Sequence, residues 1–254
     1  MRILAVNDDG IDSEGIRELV RVLSKKYEVA VAAPDTQRSA ASHSVSYFMH
    51  DLRAEKRAFP GTAEAWAISG TPADCVYAAL NGLCAEDFDL VISGINNGPN
   101  FGTDVFYSGT VAAAEEATIL GRPAMAVSLN SPAVHYEDAA SIVPELLEQY
   151  LNDPDCRNYT LNVNIPDLRR TDWKGILAAS LDGIRAYGRP LTITDNPDGS
   201  KNLHCPNDTD LAIRNPAVCG DITKIKEGYV TLTALSLDPE HSGYQKKLES
   251  WYNH

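Results

Sequence analysis

Positive charge is scarce in this chain: 22 Lys and Arg stand against 35 Asp and Glu, a formal net charge of −13. That balance argues against a nucleic-acid polymer as partner, because phosphate backbones are bound by faces rich in Lys and Arg. A small anion stays open as a substrate, provided a cation is recruited locally. Long apolar runs are missing as well. No stretch approaches the ~20 residues of a membrane span, and Asn7, Asp8 and Asp9 interrupt the first apolar run before it can act as a signal peptide. No membrane partner is expected. The cysteines (Cys75, Cys84, Cys156, Cys205 and Cys219) are odd in number, scattered and without a CxxC pair. They read as core or incidental thiols kept reduced in a cytoplasm. A GxGxxG turn is also absent, since the first apolar run leads into NDDGIDSEG with Gly10 and Gly15 alone. Backbone amides therefore cannot cradle a dinucleotide's pyrophosphate there.

What is present is enough for a sizeable core: 254 residues, 44% of them hydrophobic. Strand-like and helix-like runs alternate. Ile3 to Val6 is followed by Ile16, Leu19, Val20 and Leu23 on one helical face, then by the β-branched run Glu28 to Ala33. Further strands are expected at Phe88 to Ile95, Ala124 to Leu129 and Tyr159 to Ile165. Helices are expected from near Pro72, Val111 and Glu137, the last bent slightly by Pro144. Such alternation predicts an α/β fold with a mostly parallel sheet and helices on both faces. The pattern changes after about residue 170. Residues 183 to 220 are rich in Gly, Pro, Asn and Asp with short alternating runs, which predicts a β-hairpin arm too poor in apolar residues to fold alone and so packed on another subunit. A closing strand in GYVTLTALSL and a tail ending LESWYNH follow.

Each early strand ends in polar residues of a restricted kind. The first delivers Asn7, Asp8 and Asp9; the second runs into Asp35, Arg38 and Ser39; the strand at 88 to 95 runs into Asn96, Asn97 and Asn100. In a parallel sheet these turns share one edge, where ligands bind. Two adjacent carboxylates repel a bare phosphate, but they serve it if a hard divalent cation lies between. Asp8 and Asp9, with a hydroxyl from Ser39 and an amide oxygen from Asn96, would form such an oxygen site. The same residues are also ordinary turn chemistry, with Asp9 and Gly10 favouring a bend and Asp12 or Ser13 capping the next helix.

Two Ser-Gly-Thr turns precede helical runs. Ser108, Gly109 and Thr110 stand before an alanine-rich segment and Ser69, Gly70 and Thr71 before Pro72. Both are helix caps, and a helix N-terminus is also a phosphate site. Only the 108 to 110 turn follows within one connection of the strand delivering Asn96. The turn at 69 to 71 is approached from EAWAI, read here as lying outside the alternation, and is expected to be a structural cap. His43 lies near the second strand's turn and is read as a surface residue or one backing the site, not as a metal ligand.

The stretches ILAVNDDGIDSEGI, VAAPDTQRSAAS, SGTPADCV, DLVISGINNGPNFGTDVFYSGTVAAAEEA and LNVNIP together resemble the SurE family, the survival-protein-E nucleotidases, in the family's order. The resemblance implies a single domain over residues 1–254, with a Rossmann-like core at 1–170 and an extension at 171–254 whose arm is used in homodimers or homotetramers. It implies a phosphomonoesterase acting on nucleoside 5′- and 3′-monophosphates, and on short polyphosphate, with one Mg²⁺ or Mn²⁺ per subunit. The family's metal ligands fall on Asp8, Asp9, Ser39 and Asn96, and its phosphate contacts on Asn100, Ser108, Gly109 and Thr110. Asp8 or Asp9 would take the proton of an attacking water, and a phospho-aspartyl intermediate is equally compatible. A haloacid-dehalogenase-like phosphatase would need a second acid at position 10, which is Gly10. A non-catalytic nucleotide- or sugar-binding module would share the architecture without the metal.

Overall fold

The alternation of strand and helix patterns becomes a layered α/β structure in the computed structural model, which describes residues 1–183, 191–204, 216–238 and 251. Strand β1 (Arg2–Val6) is buried at every position. Helix α1 (Glu14–Leu23) buries Gly15, Ile16, Leu19, Val20 and Leu23, one face of a 3.6-residue repeat. Strand β2 (Glu28–Pro34) returns parallel to β1. A long connection then carries the short β3 (Ala54–Lys56) before β4 (Glu64–Ile68).

β4 corrects one expectation. The segment EAWAI is a sheet strand, parallel to β2 and antiparallel to β3. It escapes a βαβ reading because the chain reaches it from β2 through a loop and β3, with no intervening helix. Helix α2 (Pro72–Ala78), β5 (Leu90–Asn97), α3 (Gly109–Ile119), β6 (Ala124–Leu129), α4 (Tyr136–Leu151) and β7 (Thr160–Ile165) follow, as the sequence predicts to within a few residues. Pro144 lies inside α4.

Among the described residues the main sheet runs β3-β4-β2-β1-β5-β6-β7-β11-β8, where β8 is Ile176–Ala178 and β11 is Val230–Leu235. β11 is antiparallel to β7 and parallel to β8, so the C-terminal segment extends the same sheet. Helices α1 and α4 pack on one face and α2 and α3 on the other, each over its own apolar cluster. Each fully buried Ile, Leu or Val side chain there contributes about 1.5–3 kcal/mol.

The expected arm is visible as an antiparallel pair, β9 (Thr192–Asp195) with β10 (Lys201–His204), exposed throughout. Between it and β11 lies the short helix α5 (Asp221–Glu227). The rest of the arm, Cys205 and most of the LESWYNH tail lie outside the described residues. Cys75, Cys84, Cys156 and Cys219 are free thiols, the first three buried. Among the described residues no helix is long and apolar enough to cross a membrane. Strand order reverses between β1 and β5, since β2 lies on one side of β1 and β5 on the other. The crevice beyond their carboxyl ends is where open α/β sheets bind ligands.

Candidate active site

The turn after β1 is built by Asn7, whose Nδ2 donates to the Gly10 carbonyl at 2.9 Å and to Ser13 Oγ at 2.7 Å. Gly10 takes a φ of +95°, which only glycine adopts without strain. Ser13 occupies the N-cap position of α1 as expected, but its hydroxyl makes no cap bond. It is engaged by Asn7 instead, so it serves the turn and not the helix. The bend leaves Asp8 buried at 3% exposure while Asp9 is half-buried at the mouth.

The neighbouring strand tips are tied to this pair. Arg38 N donates to the Asp8 carbonyl oxygen at 2.7 Å, so the turn after β2 rests on the turn after β1. From the other side Asn97 N donates to Asp9 Oδ2 at 2.9 Å. Gln37 bridges, its Nε2 donating to Ser39 Oγ at 2.9 Å and, more weakly, to Asp9 Oδ1 at 3.5 Å. Asn96 donates its Nδ2 to Gly98 O at 2.7 Å, which leaves its amide oxygen as the end available to a ligand. Asp9, Ser13, Glu14, Gln37, Asn97 and Tyr136 line a cleft of about 300 Å³ on the Asp9 side of the pair.

Helix α3 arrives end-on at Asp8. Ser108 is its N-cap, with Oγ accepting from Val111 N at 3.0 Å. Thr110, fully buried, donates its hydroxyl to Asp8 Oδ1 at 2.6 Å. A Cβ on Gly109 would lie 2.9 Å from Asp8 Cβ and 3.1 Å from Asp8 Oδ2, so glycine is what allows the helix start and the carboxylate to touch. Burial pushes the Asp8 carboxyl up to about 6; the Thr110 hydroxyl opposes that and the Asp9 charge adds to it. Burial also raises Asp9, against the pull of Asn97 N and Gln37. An electron-poor helix terminus and a pair of crowded carboxylates thus share one crevice.

The remaining expected residue, Asn100, is 6% exposed and gives its Nδ2 to Ser128 Oγ at 2.8 Å. The loop it opens is tied to the C-terminal segment by Asp221, whose Oδ2 accepts from Gly102 N at 2.9 Å. The other Ser-Gly-Thr turn sits at the start of α2. Thr71 is its N-cap, in a capping box with Asp74, and Ser69 Oγ accepts from Arg53 N at 2.9 Å. His43 lies against α3, with Nε2 2.9 Å from Glu116 Oε2 and Nδ1 3.6 Å from Glu115.

The structure joins Asp8 to Gly109 and Thr110 and, through Gln37, Asp9 to Ser39, whereas Asn96 and Asn100 meet at Ser128 and Ser108 lines a separate hollow with Ser42 and His43. Sequence reasoning missed Gln37, the bridge between Asp9 and Ser39, and treated Asn97 as a turn residue although its amide holds Asp9. It also missed Ser128, Asn162 and Asn164; the asparagines left a visible signal, two amides alternating with Leu161, Val163 and Ile165 in the strand run TLNVNI. Among the described residues no group of three or more His, Cys, Asp or Glu side chains is placed to hold a metal ion. A cation here would have to combine the two carboxylates with neutral oxygens.

Comparison with known proteins follows the same lines. The family model for survival protein SurE matches residues 3–187. The chain is 41% identical over 251 residues to the 5′-nucleotidase SurE of Histophilus somni, covering 99% of this chain and 98% of that protein. It is 37% identical over 262 residues to the 5′/3′-nucleotidase SurE of Proteus mirabilis, covering 100% and 96%. The crystal structure of the SurE protein from Aquifex aeolicus superposes with a TM-score of 0.83 at 33% identity, over 100% of both chains. Matched along its length in sequence and in fold, the chain belongs to the SurE family.

Proposed function

We propose that this chain is a nucleotidase hydrolysing nucleoside 5′- and 3′-monophosphates to nucleoside and inorganic phosphate, with short polyphosphate as a further substrate. The observation that carries the reading is the contact of Thr110 with Asp8, which sets a helix N-terminus against a buried carboxylate at the sheet's switch point. In this reading the backbone amides of Gly109 and Thr110 and the Ser108 hydroxyl lie along the phosphate oxygens, with Asn100 beside them, where donors stabilise charge on the transferring group. Asp8 or Asp9 receives the proton of the attacking water.

The donor set fits one hard divalent cation per subunit, Mg²⁺ or Mn²⁺: Asp8, Asp9, Ser39 Oγ and the free amide oxygen of Asn96 are all oxygens. When bound, the cation supplies the positive charge that lets an anionic substrate approach two carboxylates. Free thiols in the chain fit a cytoplasmic setting.

The test is phosphate release from adenosine 5′-monophosphate and p-nitrophenyl phosphate, with and without EDTA, in wild type, Asp8→Asn and Asp9→Asn. Activity should vanish with EDTA and in each variant while the fold survives. A double Asn variant within a few-fold of wild type would overturn the assignment, and EDTA-resistant release would remove the cation.

The reading extends to a homodimer or homotetramer. Leu191, Ile193 and Leu203 on or beside the β9–β10 hairpin are 46%, 56% and 62% exposed, and two strands alone are marginal in water. A second copy covering them fits both facts. A monomeric mass by light scattering at micromolar protein would contradict it.

A further inference from the structure

Strand β7 is buried at all six positions, yet two of them are asparagines. Leu161, Val163 and Ile165 enter the apolar cluster under α1 and α4, so Asn162 and Asn164 point to the opposite face by the two-residue period of a strand. Neither has any solvent exposure. Both reach the same residue. Asn164 accepts from Asn100 N at 2.8 Å and donates to Asn100 O at 2.9 Å, so one side-chain amide holds both backbone polar groups of Asn100 as a paired strand would. Asn162 donates to that same carbonyl oxygen at 2.9 Å. Ser128, opposite Asn164 in the β6–β7 register and also fully buried, accepts from the Asn100 side chain.

This arrangement costs the core something. Asn162 Oδ1 is buried with no hydrogen-bond partner, a condition that an apolar residue in its place would avoid. What the strand gains is a loop residue fixed by four hydrogen bonds to a buried interior strand and its neighbour. Ser128 also stands opposite Asn96 on β5, so the clamp is continuous with the strand tip that offers Asn96 to the cation site.

We infer that Asn164 and Asn162 are positioning residues of the phosphate site: they touch no substrate and act by fixing the backbone and side chain of Asn100 at the phosphate. The inference rests on the reading that Asn100 meets the phosphate. Loss of the clamp lets Asn100 shift while the carboxylate pair and α3 stay in place, so phosphate binding weakens and cation binding does not.

The experiment measures kcat and KM for adenosine 5′-monophosphate, inhibition by inorganic phosphate, and Mn²⁺ binding by calorimetry. Asn164→Leu removes both hydrogen bonds to Asn100 with a side chain of similar branching and brings no charge into a fully buried position. Asn162→Leu keeps the core filled, and serves if the first variant folds poorly. Thr160→Val is the comparison: it lies on the same strand face, fully buried, bonded at 2.8 Å to Thr118 and not to Asn100.

Expected in Asn164→Leu and Asn162→Leu are a loss of kcat/KM and a weakening of phosphate inhibition of about 10- to 100-fold, with Mn²⁺ affinity within about threefold of wild type. Thr160→Val should lower the melting temperature and leave phosphate inhibition alone. Equal weakening in Thr160→Val, or wild-type phosphate inhibition in both Asn variants, would overturn the inference. Asn100→Ala separates the two readings. Unchanged phosphate inhibition there removes Asn100 from the phosphate site and the inference with it, whereas a loss there with none in the clamp variants overturns the inference alone.

Discussion

Two identical tripeptides, Ser69-Gly70-Thr71 and Ser108-Gly109-Thr110, stand at the starts of adjacent helices, and the chain enters the helix at a different residue in each. In the first the cap is Thr71; in the second it is Ser108. The cause is the next residue. Pro72 disfavours a helical conformation in the residue before it and is itself suited to the first helical position, so Thr71 must be the cap. No proline follows Thr110, and the helix starts two residues earlier. The consequence is chemical. Thr71 Oγ1 is consumed by Asp74 N at 3.1 Å and Ser44 O at 2.7 Å, whereas Thr110, already inside α3, turns its hydroxyl on Asp8. One turn holds a loop and the other holds the buried Asp8 carboxylate.

The largest effect that tests this contrast comes from removing each threonine hydroxyl without changing shape. Thr110→Val should lower kcat by about 10²-fold, because Asp8, the base or cation ligand of the proposed reaction, loses the hydroxyl that positions it. Thr71→Val should cost about 1 kcal/mol of stability through the cap and change kcat by no more than about threefold. Steady-state phosphate release and thermal melts on the same preparations decide it. Equal catalytic losses at both turns, or the larger one at Thr71, would put the phosphate at the wrong helix. Because Ser108 Oγ already accepts from Val111 N, its removal costs a cap as well as any phosphate contact, so Thr110 is the cleaner probe.

The same contrast marks how far the sequence could be read. The strands that end in Asp8 and Asn96, and the helix after Ser108, follow from local patterning, because apolar period and turn residues are written into contiguous stretches. β4 was lost because the helix that should separate it from β2 is replaced by a loop and β3, and a five-residue strand whose Glu64 and Trp66 are only half-buried lacks a long apolar run. Ser13 looked like a cap because serine usually is one; only the fold brings Asn7 to it. Gln37 and the Asn100 clamp depend on which strands become neighbours, which no local pattern encodes. Asn162 and Asn164 were nevertheless conspicuous, since a buried strand seldom carries two amides without a task for them.

The smallest effect concerns the loop that carries Ser39, which is tied to both helices by different chemistry. On α2 it is held by Asp74, which accepts from Ser46 N at 2.8 Å and Ser46 Oγ at 2.5 Å, and by Tyr47 stacked on Tyr77 at 4.2 Å. On α3 it is held by His43 against Glu115 and Glu116. Burial pushes the Asp74 carboxyl up, but the Ser46 and Thr71 donors outweigh it and keep the group below the usual range, so that tether stays ionised from neutral to alkaline pH. The carboxylates of Glu115 and then Glu116 push the His43 imidazole up to about 9. The folded state therefore holds this proton more tightly than the unfolded chain, whose histidines titrate near 6.5. Its stabilisation is complete below about pH 6.5 and is lost as pH rises through about 9. His43→Gln keeps a donor but not the charge. The stability gap between wild type and this variant should be on the order of 1–2 kcal/mol at pH 6, after discounting for the partly exposed pair, and should close by pH 10. Denaturant melts of both proteins across that range cancel the titrations they share. A gap that stays constant from pH 6 to 10 would mean that the α3 tether carries no charge, leaving the loop's electrostatic anchorage to Asp74 alone.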